Sequence, residues 1–158
     1  MIEISNITKS FGEQRVLTDV STVFEAGKTN LVIGISGSGK TVLMKIMTGL
    51  MTPDTGKVHF NGRDFFALSR NDQKNLRREI GMLFQGSALF DSMTVEENVM
   101  LPLNMFSNAK KKEKLDRVNF CLERVNLAGA NKKFPGEISS DMKKRVGILT
   151  SGGDCPGL

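Results

Sequence analysis

The stretch "NLVIGISGSGKTVLMKIMTGL", residues 30 to 50, constrains this chain more than any other. Its first part is a continuous apolar run ending in small residues, the pattern of a strand buried on both faces. Its last part places Leu43, Ile46, Met47 and Leu50 at helical spacing, the pattern of a helix with one apolar stripe. Between them lie Gly34, Gly37 and Gly39, which allow the backbone to curl tightly without side-chain obstruction. Buried strand, glycine turn and helix, in that order, predict an α/β fold.

The turn fits G-x-x-x-x-G-K-[ST], with Gly34, Gly39, Lys40 and Thr41 in the required places and Ser36, Gly37 and Ser38 inside the loop. Such a loop turns several backbone N–H groups and a helix N-terminus toward negative charge, which suits the phosphates of a nucleotide. Lys40 is expected to reach the β- and γ-phosphate oxygens, and the Thr41 hydroxyl to ligate Mg²⁺. By itself the loop leaves kinases, GTPases and transport ATPases open.

Flanking patterns add elements. Ile2 and Ile4 alternate with polar neighbours and "VLTDVSTVF" is loosely strand-like, so early strands precede the turn "EAGK". "PDTG" predicts a turn, "KVHF" a strand and "NG" at 61 to 62 a tight hairpin, together a small antiparallel element. A helix is expected from about Ser69 to Arg78, followed by a strand over "IGMLFQ". Thr94 and Glu97 have capping-box spacing, and Pro102 is expected to limit the short helix they open. Leu115, Val118, Leu122 and Val125 mark one face of a longer helix. Met142, Val146 and Leu149 suggest a last helix through about Gly147, then an irregular tail.

Composition narrows the function classes. The 158 residues suit one domain of ordinary size, and 39% hydrophobic with 25% charged residues argue against disorder. No apolar run reaches the roughly 18 residues of a membrane span, and the N-terminus lacks a secretory pattern, so cytoplasm is the expected location. Cys121 and Cys155 lack CxxC spacing and the lone His59 lacks ligand partners, which disfavours disulfide and zinc readings. The net charge of +5 is modest, and without Trp or Tyr to stack on bases the chain is not expected to bind nucleic acid. The basic run "AKKKEK" at 109 to 114 reads as a solvated helix face.

Several motifs in order resemble the ATP-binding subunit of an ABC transporter over residues 1 to about 148. "ITKSFGEQRVLTDVS" resembles the family's opening, which implies that Phe11 stacks on adenine. "SGSGKTVLMKIMTGLMTPDTGKVHFNGRD" resembles its phosphate loop and following hairpin. "GMLFQGSALFDSMTVEENVMLPL" resembles its glutamine loop, which implies that Gln85 helps bind Mg²⁺ and senses a membrane partner. The wording "MLFQGSALFDSMTVEENV" with the later "MKKRV" resembles the Mla-type branch, which moves phospholipids or confers organic-solvent resistance. The resemblance implies a P-loop NTPase core, ATP and Mg as cofactors, a membrane permease subunit as partner, a homodimer, and a peripheral place on the inner face of the cell membrane.

The end of the chain departs from that pattern. "FPGEISSDMKKRV" aligns with the family's signature segment, but Ser140 and Asp141 follow Ser139 where two glycines are typical. Side chains there would crowd the γ-phosphate that the family's opposite subunit holds, and the Asp141 carboxylate would repel it, which tells against the homodimer. Ser139, Ser140 and Asp141 suit a helix cap instead. The strand that carries the family's Asp and Glu, and its histidine switch, do not follow, so hydrolysis is expected to be poor even where ATP binds. "KKRVGILTSGGDCPGL" resembles the start of a phosphofructokinase, and "SGGD" is not a displaced signature because Pro156 follows it. The expected organisation is therefore an incomplete nucleotide-binding domain over 1–148 with a partial helical subdomain, and a foreign or irregular tail over 149–158. Missing strands predict exposed sheet edges and poor solubility in isolation.

Overall fold

The computed structural model describes residues 1–83, 86 and 88–150. The chain divides into two compact units, Met1–Arg77 and Arg78–Leu158.

In the first unit, β1 (Ile2–Phe11) and β2 (Gln14–Phe24) form a hairpin, α1 (Lys40–Met47) follows the glycine loop, and β3 (Thr55–Phe60) and β4 (Arg63–Asp64) complete a sheet of order β2-β1-β3-β4. Every pairing is antiparallel. The β3–β4 turn uses Asn61 at φ 48° and Gly62 at φ 79°, the doubly left-handed turn that "NG" predicts. Ile4 and Ile7 are both buried, although strict alternation would put them on opposite faces. The register shifts between them, and Asn6 between them has φ 53°, the signs of a bulge that restores the phase. Asn6 Nδ2 donates to Asp19 Oδ1 at 2.7 Å, and the Asn6 N–H to Ser21 Oγ at 2.8 Å, which holds the bulge. Val58, Phe60, Phe65, Ile46 and Leu76 are buried with these isoleucines.

The apolar run before the loop differs from its expected form. Residues 30–35 form no strand, and Leu31, Ile33 and Ile35 are 81%, 81% and 82% exposed. A parallel strand gains burial only from neighbours on both sides, and among the described residues none pairs with this one. Ile80–Leu83 likewise form no strand, while Phe84 and Gln85 of that expected strand lie outside the described residues. Leu50 falls beyond α1 and is exposed, because the helix ends at Met47.

The second unit is helical. All but the last residue of α2 (Arg70–Arg78) belongs to the first unit, while α3 (Val95–Phe106), α4 (Lys111–Arg124) and α5 (Ser140–Thr150) surround one core in the second. Val95, Val99 and Leu103 meet Val118, Cys121 and Leu122 there, with Leu127, Ile138, Val146 and Leu149. Burying such a side chain is worth about 1.5–3 kcal/mol. The Thr94 and Glu97 capping box is formed, with Glu97 N–H donating to Thr94 Oγ1 at 3.3 Å and Thr94 N–H to Glu97 Oε2 at 2.8 Å. Pro102 does not end α3, which continues to Phe106. The proline removes the N–H that would bond the Asn98 carbonyl, and burial of Leu103 beyond it offsets that loss. α5 similarly runs to Thr150 rather than to about Gly147, because Val146 and Leu149 bury one face and the Thr150 hydroxyl donates to the Gly147 carbonyl at 3.0 Å.

A candidate nucleotide-binding site

The loop reaches its shape through its glycines. Gly37 and Gly39 have φ 81° and 86°, left-handed values that side chains disfavour. A Cβ on Gly34 would lie 2.7 Å from Ser38 Oγ, and one on Gly39 2.9 Å from Leu17 Cδ2 and 3.0 Å from Val16 Cγ1. The β1–β2 hairpin therefore packs against the point where α1 begins. Val16 and residues 36–42 line a cavity of about 360 Å³ at that point.

Gly39 caps α1 without a side chain, so no oxygen of its own satisfies the first-turn N–H groups. Helix N-termini of this kind favour anions. Lys40 Nζ donates to the carbonyls of Gly34 and Ile35, at 2.8 and 2.7 Å, so its ammonium lies folded over the loop. Thr41, the next residue of the first turn, is exposed on the cavity wall. Ser36, Gly37 and Ser38 complete the lining.

Phe11 ends β1 opposite Gln14 and is 47% exposed, on the same hairpin that contributes Val16 to the cavity. Val16 is a lining residue that the motif does not contain; only the hairpin's packing on Gly39 reveals it. Gln85 lies outside the described residues, as does the late "SGGD" at 151 to 154.

Ser139, Ser140 and Asp141 belong to the second unit and open α5. Ser139 acts as the cap: its Oγ accepts from the Met142 N–H at 3.2 Å and its carbonyl from the Lys143 N–H at 2.9 Å. Asp141 pairs with Arg145 at 2.8 Å, one helical turn on, and Arg145 also donates to the Val125 carbonyl at 2.9 Å. The segment thus satisfies its own helix terminus and ties it to the end of α4.

The family pattern described as ABC transporter matches residues 17–151. The probable ribonucleotide transport ATP-binding protein Mkl of Mycobacterium tuberculosis is 40% identical over 147 residues, which cover 93% of this chain and 41% of that protein. The methionine import ATP-binding protein MetN of Rhizobium johnstonii is 38% identical over 148 residues, 94% of this chain and 41% of its own. The chain therefore spans about two fifths of the length of these curated relatives. Among solved structures, the dimeric form of MJ0796, a bacterial ABC transporter cassette, superposes with a TM-score of 0.84 at 29% identity, over 96% of this chain and 68% of that one. The α/β cassette fold and a phosphate loop in its structural context accompany a sequence match over most of the chain, and this chain belongs to the ABC transporter family.

Proposed function

We propose that this chain binds Mg·ATP through residues 34–41 and serves as the energy-coupling subunit of an ABC transporter. The observation that carries the reading is the cavity at the start of α1, where a side-chain-free cap, a lysine and a threonine converge. Lys40 would exchange its two loop carbonyls for β- and γ-phosphate oxygens, a stronger charge-assisted contact. Phe11 would offer its ring to the adenine. Thr41 is a hard oxygen donor of the kind Mg²⁺ takes, and it would help to hold an ion that offsets phosphate charge.

The partner in this reading is a membrane permease, reached from the inner face of the cell membrane. Among the described residues no helix is long and apolar enough to cross a membrane itself. The stretch from Met82 to Val99 supports a lipid or other hydrophobic cargo through its Mla-type wording, whereas Mkl and MetN are named for ribonucleotide and methionine transport. Loss of the chain from its cell should raise sensitivity to an organic solvent; slowed methionine or ribonucleotide uptake instead would reject the lipid cargo.

A second reading, nucleotide binding without turnover, is favoured by Asp141. Its carboxylate stands in the first turn of α5, fixed by Arg145, where like charge would oppose a phosphate. One experiment separates the two readings: ATP binding and phosphate release measured in parallel, with Lys40→Ala as control. Binding and turnover that both vanish in the variant support the energy-coupling subunit. Binding without Lys40-dependent turnover supports the second reading, and affinity unchanged by Lys40→Ala would refute the loop assignment.

A further inference from the structure

Phe11 is not left to itself at the end of β1. The Lys9 ammonium lies 5.7 Å from the centroid of its ring and 2.7 Å from Asp54 Oδ1. The Ser10 N–H, between Lys9 and Phe11 in the chain, donates to Asp54 Oδ2 at 2.7 Å. The Asp54 N–H in turn donates to the Thr8 carbonyl at 2.9 Å. Both carboxylate oxygens and the backbone of one residue thus grip the three residues immediately before Phe11.

The ammonium is covered although its carboxylate partner is 42% exposed. The Lys9 side chain is 18% exposed, so its ammonium is committed to the carboxylate and the ring. The Lys9 and Ser10 hydrogen bonds hold the Asp54 carboxyl below the usual carboxylate range, which keeps it ionised at neutral pH. Cation–π attraction is directional, so a fixed ammonium orients the ring beneath it.

We propose that Asp54 is a positioning residue for a nucleotide base: through Lys9 and Ser10 it fixes the Phe11 ring with a cation on one face and leaves the other face to stack on a purine. The inference rests on the proposed nucleotide site and assigns the "PDTG" turn a part in it. That turn joins α1 to β3 in sequence, so the segment following the phosphate-loop helix also sets the base platform.

The test compares binding of ATP with binding of inorganic tripolyphosphate, which has the phosphates and lacks the base, by calorimetry on the full chain. Asp54→Asn keeps the size and an acceptor for the Ser10 N–H but removes the charge that holds Lys9. Lys9→Met removes the cation and keeps an apolar stem. Each should weaken ATP binding about threefold to tenfold, the scale of an exposed cation–π contact and its orienting effect, while tripolyphosphate binding stays unchanged. Lys9→Arg should restore most of the loss, and in a Phe11→Ala background Asp54→Asn should have no further effect. Equal weakening of both ligands, an undiminished effect without Phe11, or ATP binding unaltered by Asp54→Asn would overturn the proposal. If the unaltered chain binds tripolyphosphate as tightly as ATP, the phosphate site stands and the base platform falls. If it binds neither, the nucleotide reading falls and takes this inference with it.

Discussion

At Gly39 one added methyl group would meet Leu17, Val16 and the Val16 carbonyl within 3.1 Å, on a backbone that already has φ 86°. Gly37 has φ 81° with open space around it, so the two positions separate strain from collision. Gly37→Ala should cost about 1–3 kcal/mol through backbone strain alone, and Gly39→Ala more, with loss of nucleotide binding as the loop leaves the hairpin. Urea unfolding and ATP titration of both variants check this; equal effects would mean that the packing on Val16 and Leu17 is slack. Asn98 shows the same economy with a polar group. Its buried amide accepts from the Phe90 N–H at 2.8 Å and donates to the carbonyls of Phe90, Met93 and Thr94 at 3.0–3.1 Å. Asn98→Ala would strand those groups, and a stability loss of about 1–3 kcal/mol in denaturant titration is expected. Gly39 was legible in the sequence because a known loop demands a glycine there at fixed spacing. Asn98 was not, since nothing in "EENVML" distinguishes an amide facing solvent from one that closes a loop.

Among the elements, those whose signals are local formed where the sequence placed them. The hairpin at Asn61 and Gly62, the cap at Thr94 and the stripe of α4 each depend on neighbours a few residues away. The strand expected over residues 30–36 depends on partners distant in sequence, and its apolar run stayed irregular because no described strand lies beside it. Pro102 misled in the other direction, since the apolar face of α3 continues through a residue that local rules treat as a stop. The α3 cap also carries a pH dependence. The Thr94 N–H and hydroxyl hold the Glu97 carboxyl below the usual range. A group whose folded pKa is depressed stabilises fully above its unfolded value, and the contribution is lost as pH falls through the folded value. Helical circular dichroism should therefore fade on acidification from about pH 5 downward, and Glu97→Gln should flatten that part of the profile while lowering stability at pH 7. An unchanged acid limb in the variant would assign the dependence to other carboxylates.

For the molecule as a whole, the row Leu31, Ile33 and Ile35 matters most for behaviour in solution. Three branched apolar side chains more than four-fifths exposed make an association-prone segment. Light scattering should show concentration-dependent self-association of the isolated chain, and replacing all three with serine should reduce it while the helical signal persists. A sharp, concentration-independent thermal melt of the unaltered chain would contradict this. The two units have separate cores: Ile4, Ile7, Val58 and Phe65 in one, and Val99, Val118, Leu122 and Val146 in the other.

The bulge in β1 has a consequence for how this strand tolerates changes of length. Asn6 is the supernumerary residue that lets Ile4 and Ile7 share a face, and both pairings of β1 shift register around it. Losing one residue there would return the strand to plain alternation with both isoleucines still inward, at the expense of the bonds to Asp19 and Ser21. A deletion between Ile2 and Ile4, where both pairings of β1 are regular, has no such slack and would turn part of the strand inside out. Related chains one residue shorter in the first half of this strand should therefore carry their gap at residues 5 and 6.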